Sequence, residues 1–460
     1  MDTNDTICAL ATPAGVGAIA MIRLSGPESF GIIDQIFEPR SGSPVSSAAG
    51  YTLHLGNLTG DEGVIDEVMV SVFRQPHSYT GDDAIEISCH GSPYIQQKII
   101  ELLINCGARM ATAGEFTMRA FINGKFDLAQ AEAVADLIAS GSKYAHDLAL
   151  DQMRGGFSDK IKQLRQELLD FASLIELELD FAEEDVEFAD RSKIGKTLDG
   201  LETEIKILLK SFQVGNVLKN GIPVAIIGKP NVGKSTLLNT ILQEEKAIVS
   251  DIPGTTRDSI EDTIIIEGIA FRFIDTAGLR PSMDVIENIG IERTLQRIKE
   301  ASIILFIFDA ASTAEEVQEV LEEHRHLIED PTKRIILIGN KIDLLIEMPK
   351  GFKDLVELET IFISAKRKEN INLISDSLLR SVNTQQFADT TIVSNARHYE
   401  ALSKSLQAIG DIRKGFDSNI PSDLVAIDIR KALHHLGTIT GQITTDEILG
   451  NIFGKFCIGK

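Results

Sequence analysis

The residues best placed to do chemistry stand in Gly228-Lys-Pro-Asn231-Val232-Gly233-Lys234-Ser235, between an apolar run, Val224 to Ile227, and a helix-forming stretch, Thr236 to Leu242. The spacing G-x-x-x-x-G-K-S in a strand, loop, helix context makes a phosphate cradle. Its glycines admit close backbone approach, its amides and helix N-terminus receive phosphate, and its lysine reaches the outer phosphates. Asn231, Val232, Gly233, Lys234, Ser235 and Thr236 are therefore expected on the nucleotide, with Ser235 on Mg²⁺. Three more segments follow apolar runs in order. Asp275-Thr276-Ala277-Gly278 comes after Phe271 to Ile274, where an Asp can hold a Mg²⁺-bound water and a glycine amide can meet a γ-phosphate. Asn340-Lys341-Ile-Asp343 comes after Ile335 to Ile338, and Ser364-Ala365-Lys366 after Ile361 to Ile363. The Asp343 carboxylate can accept from both N1–H and the exocyclic amine of guanine, a donor pair that adenine lacks, and an acceptor left unpaired is costly. The ligand expected from these motifs is GTP or GDP.

Such motifs need strand ends to hold them. Apolar runs of four to six residues alternate with amphipathic stretches from about Lys219 to Val382, which is the pattern of buried parallel strands in a doubly wound α/β sheet that binds ligands at its strand ends. On either side the periodicity is helical. Ile161, Leu164, Leu168, Phe171, Ile175 and Leu179 recur at three or four residues, as do Ile194, Leu198, Leu201, Ile205, Leu208 and Phe212, and the pattern returns in Ala396 to Ile412, Leu424 to Leu436 and Thr445 to Phe453. The first 120 or so residues mix short β-type runs (Gly17 to Leu24, Glu67 to Phe73, Ala84 to Ser88) with a helix over Pro93 to Cys106 and a loop over Arg40 to Gly50. The expected architecture is an α+β N-terminal domain (1–122), an all-α domain in two parts (123–216 and 384–460), and a P-loop Ras-like G domain (217–383) inserted into the helical one.

Composition limits the partners. The chain has 460 residues, 45 Lys+Arg and 68 Asp+Glu, a formal charge of −23, which argues against a general nucleic-acid coat. Residues from Gln385 onward carry eight basic and eight acidic side chains, a neutral stretch on an acidic chain, so some RNA contact is possible there while most phosphate neutralisation falls to a partner. Eight acids and no Lys or Arg between Glu176 and Asp190 read as a solvated face. No apolar run is long enough to span a membrane, the first residues carry no signal-like charge pattern, and Cys8, Cys89, Cys106 and Cys457 are widely spaced, so a cytoplasmic protein without a membrane anchor is expected.

Ser250-Asp251-Ile252-Pro253-Gly254-Thr255-Thr256-Arg257-Asp258 resembles the first switch of GTPases close to Era and TrmE. Thr256 is the matching Mg²⁺ and γ-phosphate contact, and Asp251, Pro253 and Gly254 complete that segment. Leu279 stands where Ras-like enzymes carry a water-orienting Gln. In the subgroup resembled, K⁺ replaces an arginine finger, held by residues matching Asn231, Ser250, Ile252 and Thr255, and a downstream Glu orients water. The segment spacing makes Glu287 that residue.

Four further segments are similar to the bacterial tRNA uridine-modification GTPases of the MnmE or TrmE type. They are Asp5-Thr-Ile-Cys-Ala-Leu-Ala-Thr-Pro-Ala-Gly-Val-Gly-Ala-Ile-Ala-Met-Ile-Arg23, Tyr79-Thr-Gly-Asp-Asp-Ala-Ile-Glu86, Ala113-Gly-Glu-Phe-Thr-Met-Arg-Ala-Phe-Ile-Asn-Gly-Lys125, and Phe453-Gly-Lys-Phe-Cys457-Ile-Gly-Lys460. Ala14, Val16, Pro253 and Pro281 depart from the family pattern in loops. The resemblance implies an N-terminal domain that dimerises and binds a tetrahydrofolate derivative, 5-formyl or methylene, through residues matching Arg23, Glu86, Lys125 and Lys460. It implies a homodimer that joins the flavin protein MnmG, or GidA, carrying FAD, in an α2β2 assembly acting on wobble uridine 34 of tRNA. GTP hydrolysis would drive a conformational cycle. Cys457, near Lys455 and Lys460, which favour thiolate, is read either as a nucleophile at the uridine or as a positional residue. The other readings are a regulatory ribosome or tRNA assembly GTPase without modification chemistry, and a self-sufficient folate-dependent one-carbon transferase, against which stands the lack of a Gly-rich flavin or NAD fingerprint.

Overall fold

A computed structural model describes residues 4–180, 191–244, 262–274, 300–323, 330, 333–345, 358–382, 391–418 and 420–459. The chain separates into two compact units. One is Met1–Ile138 with Leu150–Thr203 and Glu400–Lys460, and the other is Ala139–Ala149 with Glu204–Tyr399.

The first unit begins with β1 (Ile7–Leu10), β2 (Ile19–Ser25), α1 (Ser29–Ile36), β3 (Phe37–Pro39), β4 (Thr52–Gly60), β5 (Gly63–Phe73), β6 (Ala84–His90), α2 (Pro93–Asn105), β7 (Arg109–Met110) and α3 (Glu115–Ile122). The seven strands form one sheet in the order β3-β4-β5-β6-β2-β1-β7, antiparallel except where β1 meets β7. Alternation along β2 and β6 decides which side chains go where. Ala20, Ile22, Leu24, Ile85, Ile87 and Cys89 face a core closed by Ile32 and Ile33 of α1 and Ile99 and Leu103 of α2. Arg23 and Glu86 therefore point to the opposite face. The pairing places Leu53, Ser71, Glu86, Arg23 and Ala9 in one row across five strands.

Helices α4 (Leu128–Ala139), α5 (Lys143–Met153), α6 (Gly156–Asp180) and α7 (Arg191–Asn220) follow. The three- or four-residue stripe on α6 is the buried one: Ile161, Leu164, Leu168, Phe171 and Ile175 are each 2% exposed or less. Of the acid run expected on a solvated face, the side chains from Glu176 to Asp190 lie outside the described residues.

The second unit holds β8 (Ile222–Ile227), α8 (Lys234–Glu244), β9 (Asp262–Ile266), β10 (Ile269–Ile274), β11 (Ile303–Asp309), α9 (Ala314–Glu323), β12 (Arg334–Asn340), β13 (Glu359–Phe362) and α10 (Asn372–Arg380). Its sheet runs β13-β12-β11-β8-β10-β9, parallel except for β9. Val224 faces a core with Leu237 and Ile374, while its neighbour Ala225 faces a second core with Phe306 and Val317, so both faces are covered. That burial on both sides is why these strands read as unbroken apolar runs. The chain returns to the first unit through α11 (Ala396–Asp417), α12 (Ser422–Thr440) and α13 (Asp446–Phe453). There Phe171 of α6 meets Phe416 of α11 with ring centroids 5.9 Å apart, and Arg413 pairs with Asp199 at 2.7 Å and Glu202 at 2.9 Å. Among the described residues no helix is long and apolar enough to cross a membrane.

Candidate functional site

β8 is the switch point of the second sheet, with β11 on one side and β10 on the other, and the loop leaving it opens the crevice. Two glycines shape that loop. Gly228 has φ +152° and Gly233 φ +101°, and a Cβ on either would collide, with the Ile307 carbonyl and with Asn340 Nδ2 respectively. Asn231, at φ +64°, takes the left-handed turn that Asn tolerates. Lys234 starts α8 and folds back over the loop, its Nζ donating to the carbonyls of Gly228 (2.8 Å) and Lys229 (2.9 Å). Burial pushes the Lys234 ammonium below its ordinary pKa, a cost that an arriving phosphate offsets. Ser235 and Thr236 follow in the first turn of α8, where a hydroxyl can serve a nucleotide-bound cation.

The later motifs are tied to this loop through Asn340, which is 3% exposed. Its Nδ2 donates to the Val232 carbonyl at 2.8 Å, and its Oδ1 accepts from the Ala365 amide at 3.0 Å. Thr240 of α8 closes the same junction by donating to the Ala365 carbonyl at 3.0 Å. Asp343 accepts from Ser364 Oγ at 2.7 Å. That hydrogen bond holds the Asp343 carboxyl below its ordinary pKa, which keeps it an acceptor for a base edge. Lys341, at φ +73°, extends Nζ to Asp309 Oδ2 at 2.8 Å, while Lys366 is exposed. Burial raises the pKa of Asp309, but Lys341 and the Ala311 amide outweigh it and hold the carboxyl low. Asp309 was not singled out from the sequence; its only signal there is an acid closing a run of six apolar residues. Of the nucleotide residues expected, Ser250, Asp251, Ile252, Pro253, Gly254, Thr255, Thr256, Asp275, Thr276, Ala277, Gly278 and Glu287 lie outside the described residues.

The other face of the first unit's sheet, covered over β1 by Phe116 of α3, carries a second constellation. Arg23 donates from Nε (3.0 Å) and Nη2 (2.7 Å) to Glu86 Oε1, and from Nη1 to the Gly459 carbonyl at 3.4 Å. Its guanidinium lies 5.1 Å from the centre of the Tyr79 ring and 5.6 Å from that of Phe116. Tyr79 is itself fixed by Thr117, with 2.9 Å between hydroxyls, and by Phe126, whose ring centre is 5.9 Å away. Burial raises the Tyr79 phenol's pKa above its ordinary value. Lys125 stands next to Phe126 in sequence, and its Nζ donates to the Pro76 carbonyl at 2.9 Å; its hydrogen bond is with that loop, not with the Arg23–Glu86 pair. Lys460 lies outside the described residues. Helix α3, which supplies Phe116 and Thr117, is anchored by a charge network. Fully buried Arg119 binds Asp5 and Glu115, and Arg109 binds the same two acids. A carboxylate beside an arginine that still has free N–H groups suits the amide and amino edge of a pterin and an acyl oxygen.

The segment after α13 approaches this pair. Phe453 and Phe456 pack with Met118, Phe121, Leu128 and Ala131, as their apolar types suggested. Cys457 is exposed, and its carbonyl accepts from the Gly114 amide at 3.4 Å.

Comparison with known proteins covers the whole length. Residues 6–125 match the family described as GTP-binding protein TrmE N-terminus, and residues 128–457 match the MnmE helical domain. A protein of Flavobacterium psychrophilum named tRNA modification GTPase MnmE is 54% identical over 99% of this chain and 99% of its own. Proteins of the same name from Bacteroides fragilis (52%; 99% of this chain, 100% of its own) and Cytophaga hutchinsonii (51%; 99% and 98%) are similar to the same extent. Among solved structures, Era of Aquifex aeolicus bound to GDP.AlF4- is 26% identical over 40% of this chain and 66% of its own, at a TM-score of 0.26 that adds no weight. With both family descriptions matched and its relatives aligned from end to end, the chain belongs to the MnmE (TrmE) family of tRNA modification GTPases.

Proposed function

We propose that the protein is a K⁺-dependent GTPase that works with an MnmG (GidA) partner to place a carboxymethylaminomethyl or aminomethyl group on C5 of wobble uridine 34 in certain tRNAs, using a one-carbon unit carried by tetrahydrofolate. The observation that carries this reading is the end-to-end kinship, which spans both the joined nucleotide motifs and the Arg23–Glu86 pair. Lys234 and the loop amides bind the phosphates, Asp343 reads guanine, and Ser235 with Thr256 hold Mg²⁺. Asn231 with Ser250, Ile252 and Thr255 holds K⁺ where other GTPases insert an arginine, and Glu287 orients the attacking water. Loss of the γ-phosphate releases the switch segments, and the helical domain relays the change.

Glu86 orients the pterin edge, and Arg23, Lys125 and Lys460 take its oxygens; the folate supplies the one-carbon group when bound. Cys457 assists at the uridine or holds its segment in place. FAD belongs to the partner, which also supplies most of the tRNA-binding charge. A homodimer is supported by the exposed apolar residues Leu53 and Leu55 of β4 on the same sheet face, with Met69 directly opposite Leu55. Against an assembly GTPase without modification chemistry stands the built Arg23–Glu86 site, which a pure switch does not need.

The test is the wobble-uridine content of tRNA from cells lacking this protein. The modified uridine should disappear and return with the wild-type chain but not with Asp343→Asn; unchanged uridines would refute the reading.

A further inference from the structure

We propose that the segment Phe453–Gly459 is a clasp on the Arg23–Glu86 site, and that Gly459 and Gly114 are the positioning residues that seat it. The inference rests on the folate reading above. Arg23 divides its donors between Glu86 and Gly459. A guanidinium has five N–H groups. Two serve Glu86 Oε1 and one serves the Gly459 carbonyl, which leaves one N–H on each terminal nitrogen for an incoming oxygen. Gly459 and a bound ligand therefore share Arg23 without competing for it. The Gly459 carbonyl closes the third side of a guanidinium already bounded by Tyr79 and Phe116.

The seat accepts only glycine at two points. Gly459 is buried at φ +98°, and a Cβ there would collide with the Leu10 carbonyl on β1. Gly114 caps α3 at φ +67°, and a Cβ there would stand 2.6 Å from the Phe453 carbonyl and 3.0 Å from Phe456 Cβ. The Gly114 amide also donates to the Cys457 carbonyl. Both glycines thus bring backbone against backbone on either side of the exposed Cys457, fixing where that residue sits relative to Arg23. Because docking of the segment and orientation of Arg23 depend on one contact, the two equilibria are linked. A ligand that prefers the oriented guanidinium must also favour the docked segment, by the same factor.

The experiment uses the full-length protein, 5-formyltetrahydrofolate as the probe, calorimetry for affinity, and hydrogen–deuterium exchange of peptides covering 453–459. In the wild type the probe should bind and slow exchange in that segment. Gly459→Ala, which keeps Lys460 and every group named on the pterin, should speed exchange there and weaken binding about fivefold or more. It should also abolish the protection that the probe gives. Gly114→Ala breaks the seat from the other side and should reproduce both effects, which guards against a local defect of the first variant. If the wild type binds the probe and both variants bind it equally well, the clasp is refuted while the folate site stands. If the wild type does not bind the probe, the folate reading falls; if exchange is then also unchanged by Gly459→Ala, the clasp falls with it.

Discussion

Asn340 is the residue whose removal tests the nucleotide site most directly. In Asn340→Ala, two buried backbone groups lose their partners at once: the Val232 carbonyl in the phosphate loop and the Ala365 amide beside the guanine motif. A buried polar group left unpaired costs about 1–3 kcal/mol, so the pair predicts a loss of about 2–6 kcal/mol. In a unit of roughly 200 residues each kcal/mol moves Tm by about 2–4 °C, which puts the expected drop between about 4 and 24 °C. The same loss frees the loop that must meet the phosphates and the segment that flanks the base, so nucleotide affinity should fall with stability. The assay is a fluorescent GDP titration beside thermal unfolding with and without saturating GDP. Gly233→Ala should behave alike, because its Cβ would occupy the space of Asn340 Nδ2 at a backbone angle unfavourable to alanine. Retention of GDP affinity within about threefold, where 1.4 kcal/mol is worth tenfold, together with an unmoved Tm, would show that Asn340 does not join the motifs.

Three further outcomes are expected. Because the Ser364 hydroxyl holds the Asp343 carboxyl below its ordinary pKa, GDP binding should persist as pH falls through the usual carboxylate range, and Ser364→Ala should move the acid limb of a pH titration of affinity upward. Glu115 is pushed up by burial, yet the hydrogen bond from Arg109, then the Thr112 amide and Arg119, hold it down at about 2 against an ordinary 4.5; its stabilisation is complete above pH 4.5 and is lost as pH falls towards 2. Glu115→Gln should cost about 3–5 kcal/mol at neutral pH and flatten that acid limb in thermal melts of the full chain. GTP hydrolysis followed by phosphate release should be slow in Na⁺ and much faster in K⁺, and equal rates would remove Asn231 from the mechanism.

The described part of the candidate nucleotide site was legible because its residues are bound to local patterns. Apolar runs end at Ile227 and Ile338, and the chemistry begins within two residues of each. The long helices were legible from the stripe at Ile161 to Ile175, since burial of one helix face leaves a period in the sequence. The second site was different. Arg23 and Glu86 are 63 residues apart, and nothing in β2 or β6 alone says that they pair; only strand register puts them in one row. Without the family likeness each is an ordinary surface charge. Strand β4 escaped notice because its apolar residues are partly turned outward, with Leu53 and Leu55 exposed. The roles of Tyr79, Phe116 and Asp309 depend on contacts between distant segments, which no local period encodes.

The transverse row on the first sheet has a consequence for mutation. Side chains alternate between the two surfaces of a strand, so a single-residue deletion inside β2 would send Arg23 into the apolar interior and bring Ile22 or Leu24 out. The same deletion among the exposed Ser41 to Ser43, ahead of the buried Val45, would leave the register of that row alone. Indels in this domain should therefore be tolerated only in exposed bends such as Ser41 to Ser43, and within the strands should break both the Arg23–Glu86 pair and the protein's ability to fold.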